Sequence, residues 1–229
     1  MSNPRFAGAI ALVVVLSACA SSSSGLVDTL NYAGDRWAGD GRAKSPELRS
    51  GFRYLKVVAN GEVSYLALGY LDPPPVQSGP SSVEVWYSAS GQSLRLKDGR
   101  LAGTAGLPTD WLDVRMERAP DWSAVGREGV EFERERDVMP GYRYRIRDQL
   151  RVRPVLPPET TDLIGVDKAS LLWYEETVES STGGGLPPAY FGVIPGFGSA
   201  RVVYSFQCVA ADLCLSTQSW PPDSIAGAK

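Results

Sequence analysis

The chain has 229 residues, 43% of them hydrophobic, a formal net charge of −3 and no histidine. This length suits one domain large enough to bury a core, and the mild acidity offers no general attraction for nucleic acid. The missing imidazole excludes Ser-His-Asp and Cys-His nucleophilic machinery as well as histidine metal sites, so any catalysis would have to run on carboxylates, Lys, Tyr or an unaided Ser.

The first segment reads as a targeting signal. Arg5 precedes an unbroken apolar run from Ala9 to Leu16, Ser17 and Ala18 follow, and no acidic residue occurs before Asp28. The run is too short to cross a bilayer as a helix, which takes ~20 apolar residues. Its basic start, short apolar middle and small terminal residues fit a cleaved signal peptide better than a core element. Leu16-Ser17-Ala18-Cys19 resembles the lipobox of bacterial lipoproteins. The resemblance implies cleavage before Cys19, a diacylglycerol on its sulfur and a third acyl chain on its amine. Several chains hold far more firmly than one, at ~0.8 kcal/mol per buried methylene. Residues 1–18 are therefore expected to be the signal peptide and 19–25 the lipidated cysteine with a serine-rich tether; 26–229 should form a single β-rich domain. Enteric lipoproteins retained at the inner membrane tend to carry Asp after the cysteine. Here that position is Ala20, so the resemblance implies anchoring in the outer membrane, facing the periplasm.

A helix is plausible over 26–37 and briefly around Asp110 to Met116. From Gly51 onward, short strands alternate with turn dipeptides. "FRYLKVVA" and "EVSYLALGYL" flank Asn60-Gly61, the strongest short hairpin signal. "VEVWYS" follows a Pro- and Ser-rich loop over 73–82, and Ser90-Gly91 and Asp98-Gly99 turn the chain into "QSLRLK" and "RLAGTAGL". "SLLWYEETVE", "AYFGVI", "ARVVYSFQ" and "CLSTQSW" supply the later strands. This spacing, without helix-length segments between, indicates an all-β antiparallel fold.

The sharpest pattern is "GVEFERERDVMPGYRYRIRDQLRVRP". Arg143, Arg145, Arg147, Arg151 and Arg153 recur at period two, as do Glu131, Glu133, Glu135 and Asp137; each set therefore shares one strand face. A three-residue loop, Met139-Pro140-Gly141, would oppose Asp137 to Arg143, Glu135 to Arg145 and Glu133 to Arg147. In that register most of the arginines are matched by acids on a solvated face, and such exposed pairs contribute only ~0.2–1 kcal/mol each. Arg151 and Arg153 lie beyond the matched acids and are the candidates for gripping an anionic ligand.

Other chemistry is weakly signalled. "DGRLAGTAGL" lacks the order of a phosphate-binding loop, and its glycines fit a turn and close strand packing. Glu175 and Glu176 are neighbours in a strand, so they point to opposite faces and cannot flank one glycosidic bond. Trp86, Trp111, Trp173 and Trp220 could stack on sugars but fit core or rim positions better. Cys208 and Cys214, an even pair close in sequence in an exported chain, read as a disulfide closing "VAADL", with two buried thiols as the alternative. Two thiols and no histidine make a poor zinc set, so neither a metal nor another cofactor is expected.

Residues 54–116 resemble the YjbF/GfcB family of group 4 capsule and exopolysaccharide-operon lipoproteins. The resemblance rests on "YLKVVANGEVSYLALGYLD", "EVWYSASG" and "LRLKDGRLAGTAGLPTDW". It implies an outer-membrane lipoprotein with a barrel-like antiparallel sheet, closed or incomplete, and no catalytic residues. The function so implied is a non-enzymatic accessory role in capsule or exopolysaccharide assembly or export. Its expected partners are outer-membrane lipid through Cys19, polysaccharide, and export-machinery proteins, not nucleic acid. The alternative is an acyl-chain carrier of the lipoprotein-sorting type, which would need a continuous apolar cavity.

Overall fold

The structure is a computed structural model that describes residues 48–73, 82–182, 185–196 and 200–222. The signal peptide, Cys19, the tether and the helix expected over 26–37 lie outside these residues. Among the described residues the chain forms twelve strands and two short 3₁₀ turns, Trp122–Ala124 and Lys168–Ser170. The strands are β1 (Tyr54–Ala59), β2 (Glu62–Asp72), β3 (Val83–Tyr87), β4 (Ser93–Lys97), β5 (Arg100–Ala105) and β6 (Asp110–Arg115). They continue as β7 (Val130–Met139), β8 (Arg143–Val155), β9 (Leu172–Ser180), β10 (Ala189–Ile194), β11 (Arg201–Ala210) and β12 (Leu213–Trp220).

All twelve join one antiparallel sheet, ordered β5-β4-β3-β2-β1-β12-β11-β10-β9-β8-β7-β6. Neighbours are consecutive in sequence except where β1 pairs with β12, Tyr54 opposite Trp220. The sheet edges, β5 and β6, meet through side chains rather than a backbone ladder: Thr104 Oγ1 accepts from Trp111 N at 3.0 Å and donates to Asp110 at 2.9 Å. The result is a nearly closed, barrel-like, all-β single domain.

Local chemistry sets the hairpins. Asn60 and Gly61 have φ of 51° and 85°, and Asp98 and Gly99 have 51° and 79°. Two successive positive φ angles make the turn that matches strand twist. The barrel is flattened: a Cβ on Gly99 would lie 2.5 Å from Val202, and Gln207 of β11 accepts from Leu101 N at 2.9 Å while donating to Gly99 O at 2.8 Å. One half of the interior gathers Leu55, Leu66, Trp86, Leu96, Trp111 and Leu215; the other gathers Trp122, Phe132, Leu150, Tyr174 and Phe191.

Three expectations are corrected. Residues 110–115 form β6, not a helix, because Trp111 faces the core and the backbone pairs with β7. In the β7–β8 hairpin Glu131 opposes Arg151 and Glu135 opposes Arg147, a register displaced by two residues from the one a three-residue loop gives; past the bulge Val138 opposes Arg143, a displacement of one. A bulge between Arg136 and Val138 and positive φ at Gly141, Tyr142 and Arg145 take up the extra chain. The even displacement before the bulge preserves the faces of Arg147, Arg151 and Arg153, and Arg143 and Arg145 next to the turn are exposed as well. The third correction concerns the Cys208–Cys214 bond, which is present but lies within the ladder: β11 and β12 run past it to Ala210 and Leu213. The cysteines are directly opposed with alpha carbons 3.8 Å apart, closer than the ~4.4–6.8 Å usual for a disulfide.

Residues 156–171 cross the outside of the sheet as a strap. Asp162 anchors it: its side chain accepts from Tyr204 Oη at 2.8 Å and from Ser216 Oγ, and its carbonyl accepts from Lys56 Nζ at 3.2 Å. The Gln218 amide brackets Ile164 on both backbone groups. Leu163, Val166 and Leu171 pack on Trp173, Val203 and Tyr204, a small core outside the barrel wall.

Candidate functional site

The interior holds charges that the period-two reading of β7 and β8 passed over. Arg134 and Arg136 share the inward phase of Phe132 and Val138, and Asp148 that of Ile146 and Leu150. Asp148 Oδ2 accepts from Arg134 Nε and Nη2 at 2.9 and 2.7 Å and from Arg136 Nε at 2.6 Å. Both guanidiniums lie against the Trp111 ring, 4.6 and 4.9 Å from its centroid. Burial pushes the Asp148 carboxyl up, but the hydrogen bonds from Arg136 and the charges of Arg134 and Arg136 outweigh it and hold it below its ordinary value. Burial pulls Arg134 down against the attraction of Asp148. A second pair, Arg100 Nε to Glu176 at 2.9 Å, is equally enclosed, with Arg100 stacked 3.8 Å from the Trp122 centroid. The signal was legible: charged residues of opposite sign in the apolar phase of adjacent strands.

The interior spaces found among the described residues are small. An apolar space lined by Val57, Leu66, Leu94, Leu107 and Leu215 has a volume of about 20 Å³, and another beside Trp111, Arg134 and Glu176 has the same. Each holds about one water molecule, far from the continuous cavity an acyl chain requires. Among the described residues the tryptophans are committed to the core: Trp86, Trp111, Trp122, Trp173 and Trp220 are buried. Three of their indoles donate to backbone carbonyls: Trp111 to Val209, Trp122 to Asp98 and Trp173 to Lys168.

The outer wall is more open. A groove of about 520 Å³ lies between the strap segment Leu156–Thr161 and the faces of β9, β10 and β11, floored by Glu175, Tyr190, Tyr204 and Phe206. Lys168 Nζ holds the strap wall through the carbonyls of Pro158 and Glu159, at 3.2 and 3.3 Å. Glu175 organises the floor: it accepts from Tyr190 Oη at 3.0 Å and from Arg153 Nε and Nη2 at 3.0 and 2.6 Å. Burial first, and then the bond to Glu175, raise the Tyr190 phenol above its ordinary value. Rings beside a fixed array of donors and acceptors suit a polar, ring-bearing ligand. Glu176, the next residue, faces the interior, so the two glutamates do stand on opposite sides.

Arg153 thus sits at the edge of this groove, held by an acid from β9 rather than β7. Arg151 opposes Glu131, 3.7 Å away, and donates to Glu128 O at 3.1 Å. It is therefore not beyond the matched acids. A second groove of about 680 Å³ runs over β6, β7 and β8, lined by Arg115, Arg118 and Arg147 and by Glu117, Glu131, Glu133 and Glu135. On the outward face of β8, Gln149 is the one uncharged member of the period-two set between Arg143 and Arg153.

A family model described as "Group 4 capsule polysaccharide lipoprotein gfcB, YjbF" matches residues 54–186. The chain belongs to the YjbF family. The match runs from β1 through β9 and stops short of β10, so the disulfide hairpin lies beyond it. Among solved structures, this YjbF-family chain is similar to the hypothetical lipoprotein YmcC from Escherichia coli (K12). The TM-score is 0.58 at 18% identity, and the alignment covers 87% of this chain and 93% of that one. At that identity the likeness shows the shared barrel-like fold. No curated protein matches the chain.

Proposed function

We propose that this protein is an outer-membrane lipoprotein that serves capsule or exopolysaccharide assembly or export without catalysing a reaction. The observation that carries the reading is the YjbF match over residues 54–186, a family described by its capsule polysaccharide association. The lipobox ending at Cys19 supports an anchor that puts the domain at the envelope, and Ala20 supports the outer membrane with the domain in the periplasm. The groove under the strap, floored by Glu175, Tyr190, Tyr204 and Phe206, with Arg153 bonded to Glu175, is where polysaccharide or an export protein would engage. The carrier alternative gains nothing from spaces of about 20 Å³.

Deleting the gene and measuring surface and secreted polysaccharide, under conditions where the polymer is made, tests the reading. Reduced export is expected, with restoration by the intact gene. Unchanged export in the deletion strain would overturn it.

A further inference from the structure

The two ends of the barrel differ in what they expose. At one end the chain enters at Leu48 and leaves at Pro222: β1 starts opposite the end of β12, Tyr54 facing Trp220. The same end carries the close of β2 (Asp72 opposite Val83), the close of β8 (Val155 opposite Trp173) and the start of β9 (Leu172 opposite Val193). Phe52, Leu71, Leu156, Ile164 and Leu172 all lie at this end, at 57%, 52%, 87%, 50% and 48% exposure. Tyr70, also exposed, stands just inside it. At the opposite end, around the β7–β8 turn, the exposed large side chains are Tyr142 and Tyr144, with Leu112 at 47% beside them on β6 and Val63 near the β1–β2 turn, so most but not all of the exposed aliphatic residues sit at the first end. Aliphatic side chains left in water at one pole of a domain mark a surface that something covers.

We infer that this pole docks on the bilayer that holds the lipid anchor, so that the barrel stands end-on to the membrane with its groove-bearing wall turned sideways into the periplasm. The inference rests on the reading of Cys19 as the acylated residue. The bilayer is the occupant because of where the chain outside the structure ends: residues 20–47 run from Cys19 to Leu48, which leads into β1 at the end that carries these aliphatic residues. That stretch caps the reach of this pole at roughly 100 Å even fully extended. The tether makes insertion intramolecular, so weak insertion suffices. Leu, Ile and Phe suit the acyl boundary, and Tyr70 suits the headgroup level. Loop charges around the rim are mixed, with Arg118, Arg127 and Lys168 beside Glu117, Glu128 and Asp167. Docking should therefore depend on apolar insertion rather than on anionic lipid, and should survive salt.

The test uses the full acylated protein, purified and reconstituted into vesicles of phosphatidylethanolamine and phosphatidylglycerol. A nitrobenzoxadiazole label is placed in turn on Leu71→Cys, Leu156→Cys and Tyr142→Cys, and quenching by lipids with a shallow nitroxide is read for each. Labels at 71 and 156 should be quenched about threefold or more beyond the label at 142, and equally at high salt, as expected for residues inserted at the acyl boundary. Protein that floats with the vesicles but shows equal quenching at all three sites overturns the docking and leaves the anchor standing. A blue-shifted label at 71 or 156 without nitroxide quenching also overturns it, and assigns the pole to a protein contact. Protein that fails to float overturns the anchor reading and the docking with it.

Discussion

Removing the carboxylate of Asp148 should cost far more than one surface charge would. In Asp148→Ala the guanidiniums of Arg134 and Arg136, 7% and 5% exposed, stay against Trp111 and lose the partner that receives both. Glu176 remains as the nearby acid, but it is bound to Arg100. Breaking a buried pair from one side costs ~3–5 kcal/mol, because the remaining charge is uncompensated, against a typical total stability of ~5–15 kcal/mol. With a urea dependence of ~1–3 kcal/mol per molar, the unfolding midpoint should fall by about 1 M or more. Urea titration followed by tryptophan fluorescence reads this directly, Trp111 being in contact with the cluster. The control replaces all three groups together (Arg134→Met, Arg136→Met, Asp148→Leu), which should leave stability near the parent's, since a well-packed apolar replacement of a buried ionic triad is neutral or stabilising. A single variant within about 0.5 kcal/mol of the parent, a change typical of surface positions, would refute the reasoning and mean that water reaches the cluster. The pH dependence has a fixed sign. The Asp148 carboxyl sits below its ordinary value of 3.8 in the folded protein. Its stabilisation is therefore complete above that value and is lost as pH falls through the lower folded one. In Asp148→Asn this component of acid sensitivity should disappear.

Three further outcomes are expected. Gly129→Ala should destabilise by ~2 kcal/mol or more in a thermal melt, because a Cβ there would sit 2.6 Å from Val152 O at a φ of 79°, where strain and overpacking add; an unchanged melting temperature would mean the β7 entry can relax. Cys208→Ser with Cys214→Ser should cost at most ~2–3 kcal/mol, since the bond closes a short loop inside a ladder already paired. Alkylation of the unreduced parent should leave both thiols unlabelled by mass spectrometry, and two labelled thiols would remove the bond. Cys19→Ser should abolish incorporation of a labelled fatty acid and leave an unprocessed or mislocalised precursor; retained label would reassign the acylated residue.

Much of the fold was readable from local pattern. Period two and the Asn60-Gly61 and Asp98-Gly99 turns fix strands and hairpins because both act over a few residues, where sterics and solvent exposure dominate. The faces of β8 followed as well, since alternation survives any even shift of register. The register itself did not, because the bulge at Arg136–Val138 depends on how Asp137 meets Arg145 N, 2.7 Å away, across the turn. Residues 110–115 misled for a related reason: Trp111 and Val114 fit a helical spacing, but the seam with β5 and the pairing with β7 decide their conformation. The groove was the least legible feature. Glu175, Tyr190 and Phe206 come from three strands and Leu156–Thr161 from a loop, and nothing in their separate neighbourhoods marks them as partners.

The sequence by itself determined the strands other than β6, the outward arginine face of β8, the opposed orientation of Glu175 and Glu176, and a resemblance to capsule lipoproteins that the family match bears out. These are properties of short stretches, carried by residue type and spacing. Tertiary structure alone decided that β1 pairs with β12, that the strap leaves a groove, and that most of the exposed aliphatic side chains gather at the end where the chain enters. Each of these depends on the closing of the sheet, which brings together residues far apart in sequence and so leaves no local signal to read.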